Sequence, residues 1–133
     1  MSALVDVTLP LKTINPLNGR ECWQARTRRV KRERRRVDSA LLAGPGWRGQ
    51  HHLRRQLQAG SKLVVTLERR SRGLLDSGDN LPASMKGVRD QIAEWLGIDD
   101  RDQRVSWKYD QARAAAFAVR ITITPADEEA DAL

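Results

Sequence analysis

"SKLVVTLERR", residues 61–70, is the stretch on which the fold turns. Leu63, Val65 and Leu67 alternate onto one face and Val64 lies on the other, the pattern of a strand buried on one side. Working back toward the start, "HHLRRQLQAG" (51–60) fits either a short helical turn or an irregular connector. Before it, "AGPGWRG" (43–49) terminates a Pro- and Gly-free run from Arg20 to about Leu42 that favours helix. That run carries a sparse apolar stripe of Trp23, Ala25, Val30, Val37, Leu41 and Leu42, so one side packs and the rest stays wet. "KTINPLNG" (12–19) is a loop, and "LVDVTLP" (4–10) is a strand closed by Pro10.

Working forward, a turn at 76–80 precedes a helix over 82–96. Pro82 sits in its first turn, and Met85, Val88, Ile92, Trp95 and Leu96 recur at helical spacing up to a stop at Gly97. "RVSWKYDQ" and "AAFAVRITITP" read as two final strands that could form a hairpin, and the acidic "ADEEADAL" follows. The order β–α–β–α–β–β predicts an α+β fold: a single small domain, with a mixed sheet and helices packed mainly on one face. The boundaries expected are 1–124 for the domain and 125–133 for an acidic tail.

The chain has 133 residues and a net charge of +7, with Cys22 as its one cysteine. That length suits one core. A lone cysteine excludes an internal disulfide and a cysteine-based zinc cage and fits a reducing, cytoplasmic setting. No run of about 18 apolar residues occurs, so no membrane span is expected. Residues 1–12 lack a basic leader and a long apolar run, so no secretory signal is expected. Charge is divided unevenly. Residues 1–70 hold 16 Lys/Arg against 5 Asp/Glu, and residues 71–133 hold 8 against 12. The first half attracts a polyanion, and the second holds the carboxylates.

Nine basic residues fall between Arg20 and Arg36, eight of them arginine, with Glu21 and Glu33 the only acids among them. Arginine grips phosphate through a planar fork where lysine offers a point charge. A solvated helix face is the plain alternative, but self-repulsion at this density favours a phosphate partner. A membrane surface fits less well, because the stretch lacks a broad apolar face. Arg26, Arg28, Arg29, Lys31, Arg32, Arg35 and Arg36 are the expected phosphate contacts.

"LLDSGDNLPASMKGVRDQIAEWLGIDD" (74–100) concentrates five aspartates in an otherwise basic chain. Asp76 and Asp79 flank Ser77–Gly78, Lys86 and Asp90 share a helix face, and Asp99 and Asp100 follow the helix end. Two or three aspartates converging from separate elements suffice for Mg²⁺, which keeps several waters. Such an ion offsets charge at a scissile phosphate and makes a bound water nucleophilic. Helix capping by Asp79 or Asn80 and a plain Lys86–Asp90 ion pair are the alternatives.

Asp-x-x-Asp-Asn, then Lys, then Asp four residues on, then "LGIDD" and a following "RV", resembles the RusA-type crossover junction endodeoxyribonucleases, small dimeric Holliday junction resolvases common in prophages. "LPLKTINPLNGRECWQARTRR" is similar to that family's opening strand, Asn-containing loop and basic helix with an early Trp. The likeness spans roughly residues 4–123. It implies a homodimeric, Mg²⁺-dependent (or Mn²⁺-dependent) endonuclease acting on branched or duplex DNA, with no small-molecule cofactor and no membrane partner. Carried over by position, Asp76, Asp79 and Asp100 would bind metal and Lys86 would assist at the phosphate, with Asn80, Asp90 and Asp99 in support. Asn18 becomes a DNA-contact candidate. Two departures stand out: Ser77–Gly78 places two residues where the family usually has one, and the Asn80–Lys86 gap is longer by about one helical turn. The first predicts a bulge or tight turn at Gly78, bringing the carboxylates of Asp76, Asp79 and Asp100 together. The alternative reading is a basic DNA- or RNA-binding protein, or a degenerate junction binder, that does not cut.

Other residues carry less. Adjacent His51 and His52 diverge and suit a surface or phosphate-facing role. Cys22 lacks an obvious base and reads as an idle or packed thiol. Trp47, Trp95 and Trp107 are expected in the core or an interface, and Asn15 and Asn18 also fit ordinary turn chemistry.

Overall fold

The computed structural model describes residues 4–14, 21–75, 78 and 80–126. Strand β1 (Val5–Leu9) leads into helices α1 (Trp23–Ala43) and α2 (Gly46–Gln58), then strand β2 (Leu63–Ser71). Helices α3 (Asn80–Ser84) and α4 (Lys86–Leu96) come next, before strands β3 (Val105–Arg113) and β4 (Ala118–Pro125). The architecture is α+β, with one four-stranded mixed sheet in the order β1-β4-β2-β3.

The alternation read in "SKLVVTLERR" governs the sheet. β2 pairs with β3 in parallel and with β4 antiparallel, and the register aligns inward rows such as Val5–Ile123–Val65–Trp107 and Val7–Ile121–Leu67–Tyr109. These rows join Val37 and Leu41 of α1, Leu53 and Leu57 of α2, and Val88, Ile92 and Leu96 of α4 in one core. The opposite sheet face is mostly exposed or half-buried and polar, with Asp6 paired to Arg120 at 2.8 Å and Glu68 to Arg70 at 2.6 Å. The Arg120 hydrogen bond holds the Asp6 carboxyl below its ordinary value despite some burial.

Three expectations change. The last two strands are not a hairpin, because β4 passes to the far side of β2 and sits between β2 and β1. The link at residues 114–117 crosses the end of β2, where the Ala114 amide donates to Ser71 O and Arg72 Nε to Ala115 O. Burial explains the exchange: Val119, Ile121 and Ile123 are fully enclosed and take the centre, while β3, with exposed Ser106, Lys108 and Asp110, takes the edge. Residues 51–58 belong to a 13-residue helix, α2, and not to an irregular connector. The helix expected over 82–96 is broken at Met85 (φ −104°, ψ 7°), whose amide donates to Pro82 O while its own carbonyl accepts from Arg89. Met85 is completely buried at this joint.

Gly97 ends α4 as expected, in the left-handed conformation (φ 75°), with Ile98 N–H reaching back to Ala93 O. From α2, Gln50 Nε2 and Arg54 Nε both donate to Trp95 O, at 2.9 and 3.0 Å, so α2 caps the last turn of α4. The loop into β3 is fastened by Arg104, which donates to Asp102 and to Leu57 O. Hydrogen bonding from Arg104 holds Asp102 down at about 2. Among the described residues, no helix is long and apolar enough to cross a membrane.

Candidate functional site

The basic helix divides by face. Along α1, the buried line runs Arg29, Glu33, Val37, Leu41, one residue per turn. Arg26, Arg28, Lys31, Arg32, Arg35 and Arg36 point to solvent, although Arg36 also reaches Pro10 O. Arg29 is corrected out of the phosphate-facing set. It is only 8% exposed, and its guanidinium holds Glu21 through Nε and Nη2 and Glu33 through Nη1. The Glu21 hydrogen bond raises the Arg29 pKa, and the same contact lowers that of Glu21. Glu33 moves the other way. Burial raises its carboxyl against Arg29's attraction, and its Oε1 has no partner among the described residues. The sparse stripe therefore reflects a buried ion pair standing at two core positions. Trp23 and Leu42, read as part of that stripe, are exposed.

A cleft of about 660 Å³ runs beside α1, bordered by Pro10, Arg32, Arg35, Arg36 and Ser39. A second, of about 290 Å³, lies between α1 and the α3–α4 joint and is lined by Arg26, Val30, Glu33, Ser84, Lys86 and Asp90. Lys86 opens α4, and its exposed ammonium lies 3.3 Å from Asp90 Oδ2. The basic helix and the Lys86–Asp90 pair thus border one cleft.

Asp100 lies in the turn between α4 and β3. Arg89 donates from Nη2 to Asp100 O at 2.7 Å and from Nη1 to Tyr109 Oη at 2.9 Å, with its Cζ 4.8 Å from the Trp107 ring centre. Its Nε is 4.0 Å from Asp100 Oδ2, beyond hydrogen-bond range, so this contact does not close off the carboxylate. Next to it, the Arg101 amide donates to Asp99 Oδ1 and holds Asp99 below its ordinary value.

Two residues beyond Tyr109, and on the same face of β3, Gln111 grips the main chain of Leu75. Its Oε1 accepts from Leu75 N–H at 2.9 Å and its Nε2 donates to Leu75 O at 2.7 Å. Its register partner on β2, buried Arg69, donates to Thr13 Oγ1, Ser71 Oγ and Gly73 O. Its described acceptors are neutral, and burial lowers its pKa. Arg69 and Gln111 therefore anchor Gly73–Leu75, the residues immediately before Asp76. Neighbouring positions on a strand face are roughly 7 Å apart, and from two such positions β3 holds the lead-in to Asp76 directly through Gln111 and meets the Asp100 turn through the Tyr109–Arg89 bridge.

Asp76, Asp79, Ser77, Asn15, Asn18 and Arg20 lie outside the described residues, as does 127–133 of the acidic tail. Gly78 is in a turn and exposed, and Asn80 opens α3. Among the described residues no three His, Cys, Asp or Glu side chains are grouped so as to hold a metal ion. Asp100 is the described member of the expected ligand set. Arg89, Gln111 and Arg69 were not anticipated, since only tertiary contact reveals them. Trp95 is buried and Trp107 is packed under Arg89, as expected, but Trp47 is not in the core: it is 62% exposed. Cys22 is a free, exposed thiol. No protein-family model and no curated protein matches the chain.

Proposed function

We propose that this chain is a metal-dependent endonuclease acting on branched DNA, of the RusA type its motifs resemble, working as a homodimer in the bacterial cytoplasm. The observation that carries the reading is that neighbouring inward positions of β3 hold Leu75 directly, through Gln111, and the Asp100 turn through the Tyr109–Arg89 bridge. Asp76, Asp79 and Asp100 would hold Mg²⁺ or Mn²⁺, with Asn80, Asp90 and Asp99 in support. Such an ion supplies charge neutralisation at a scissile phosphate and a more acidic water. Lys86 adds a mobile positive charge at the cleft edge. The exposed arginines of α1 bind the phosphate chain and orient it toward that cleft, which Arg26 lines together with Lys86. Two copies suit a four-way junction, which requires two symmetric cuts.

A non-catalytic junction or duplex binder is the second reading, favoured by the α1 arginines, which need no metal to bind phosphate. Incubating the protein with a synthetic four-way junction, in Mg²⁺ against EDTA, separates the two. Paired cuts are expected in Mg²⁺ alone. Asp79→Asn and Asp100→Asn should each lower cleavage by at least about 100-fold while the junction stays bound, since each removes a charged oxygen ligand but keeps the side-chain shape. Binding without cleavage in wild type, in either divalent ion, leaves the second reading.

A further inference from the structure

Helix α2 divides between two tasks. Leu53 and Leu57 enter the core, and Gln50 and Arg54 cap α4. Trp47, His51 and Arg55 fall at i, i+4 and i+8, with Arg48 and His52 beside them, on a face outside both contacts. All five are exposed and border a groove of about 480 Å³. His51 meets the Trp47 ring edge-on at 5.8 Å, and the Arg48 guanidinium lies 5.6 Å from the ring centre. Between Asp38 and Glu68 the chain contains no carboxylate.

We propose that this outer face of α2 binds an unpaired nucleotide within a nucleic acid strand, its base stacked on Trp47 and its flanking phosphates on Arg48 and Arg55. The inference rests on the nucleic-acid half of the function proposed above and not on cleavage. An exposed indole beside two arginines and two histidines, with no acid among the groove's lining residues, offers the paired chemistry that a single strand needs: a flat apolar surface and positive charge. A duplex keeps its bases stacked and can use only the charge. The other tryptophans are less suited. Trp95 is buried and Trp107 lies under Arg89, while Trp23, though exposed, has no arginine packed on its ring among the described residues. A second copy of the chain is the competing occupant, but a surface that repels itself electrostatically disfavours it.

The test is anisotropy titration in EDTA of a labelled thymidine strand of about 12 nucleotides, within the usual site sizes, and of a blunt duplex of equal length. Trp47→Ala should weaken the single strand about tenfold or more and the duplex by no more than about twofold, and Trp47→Phe should retain most of the single-strand affinity. Thermal melts confirm that each variant folds. Equal single-strand affinity in wild type and Trp47→Ala overturns the proposal, as does equal loss in Ala and Phe variants. Sedimentation in which Trp47→Ala dissociates a dimer, with strand affinity unchanged, assigns the face to a second copy instead. If neither DNA binds wild type, this inference falls, and the four-way junction assay alone decides the proposed function. If the junction is bound and cut while Trp47→Ala is neutral, only this inference falls.

Discussion

Glu33 shows at a single residue how this helix reconciles a charged sequence with a packed position. Its Oε2 accepts from Arg29 Nη1, yet Arg29 already commits Nε and Nη2 to Glu21, so the attraction it offers Glu33 does not offset burial. The folded carboxyl therefore keeps its proton to higher pH than the ordinary value of 4.5. A group whose pKa rises on folding costs nothing when protonated in both states and destabilises progressively as pH rises past its unfolded value. Glu33→Gln, which resembles the protonated form and still accepts from Arg29, should melt above wild type at pH 7. That advantage should vanish below about pH 4.5, where wild type is itself protonated. Melting curves at the two pH values decide it, and an equal advantage at both would remove the buried-carboxylate account.

At the scale of the element, α1 combines a structural stripe and an exposed arginine surface in one run. Arg29→Ala leaves Glu33 buried without its cation, which should cost about 3 kcal/mol of stability. It should leave the salt dependence of DNA binding unchanged. Replacing exposed Arg28, Arg32 and Arg35 together should do the opposite: little change in melting temperature, and a slope of log affinity against log salt flatter by roughly 2–3 units. If the triple variant keeps the wild-type slope, the DNA path avoids α1. Composition announced this helix but could not rank its arginines, because a 3.6-residue stripe is sought among apolar residues and here half of it is an ion pair. The same limit applies to α2, whose buried positions Leu53 and Leu57 are too few to mark a period, and to α3–α4, where the break depends on burying Met85. Strand β2 and the stop at Gly97 were legible for the converse reason, since alternation and left-handed capping are local.

For the whole molecule, the question is how segments far apart in sequence reach one place. The Lys86–Asp90 pair could be picked out by spacing and Asp100 by the resemblance, but their neighbours across the sheet could not. The split of β3 from β4 put an edge strand against Leu75, the residue before Asp76, and no local pattern carries a strand exchange. Gln111 is the clearest product of that topology, because it treats the main chain of Leu75 as one more strand through paired donor and acceptor bonds. Gln111→Leu keeps the volume and removes both bonds, which should cost about 1–2 kcal/mol. The Leu75 amide should then lose hydrogen-exchange protection while the amides of β2 keep theirs. If this anchoring positions the proposed metal-binding aspartates, cleavage of the four-way junction in Mg²⁺ should fall at least about tenfold, since an ångström of misplacement costs far more in rate than in stability. Junction affinity in EDTA should stay within about twofold, because none of the proposed phosphate contacts involves Gln111 or Leu75. A variant whose Leu75 amide exchanges freely yet cuts at the wild-type rate would show that the turn needs no support from β3, and the aspartates would have to be positioned from α3 and the Asp100 turn alone.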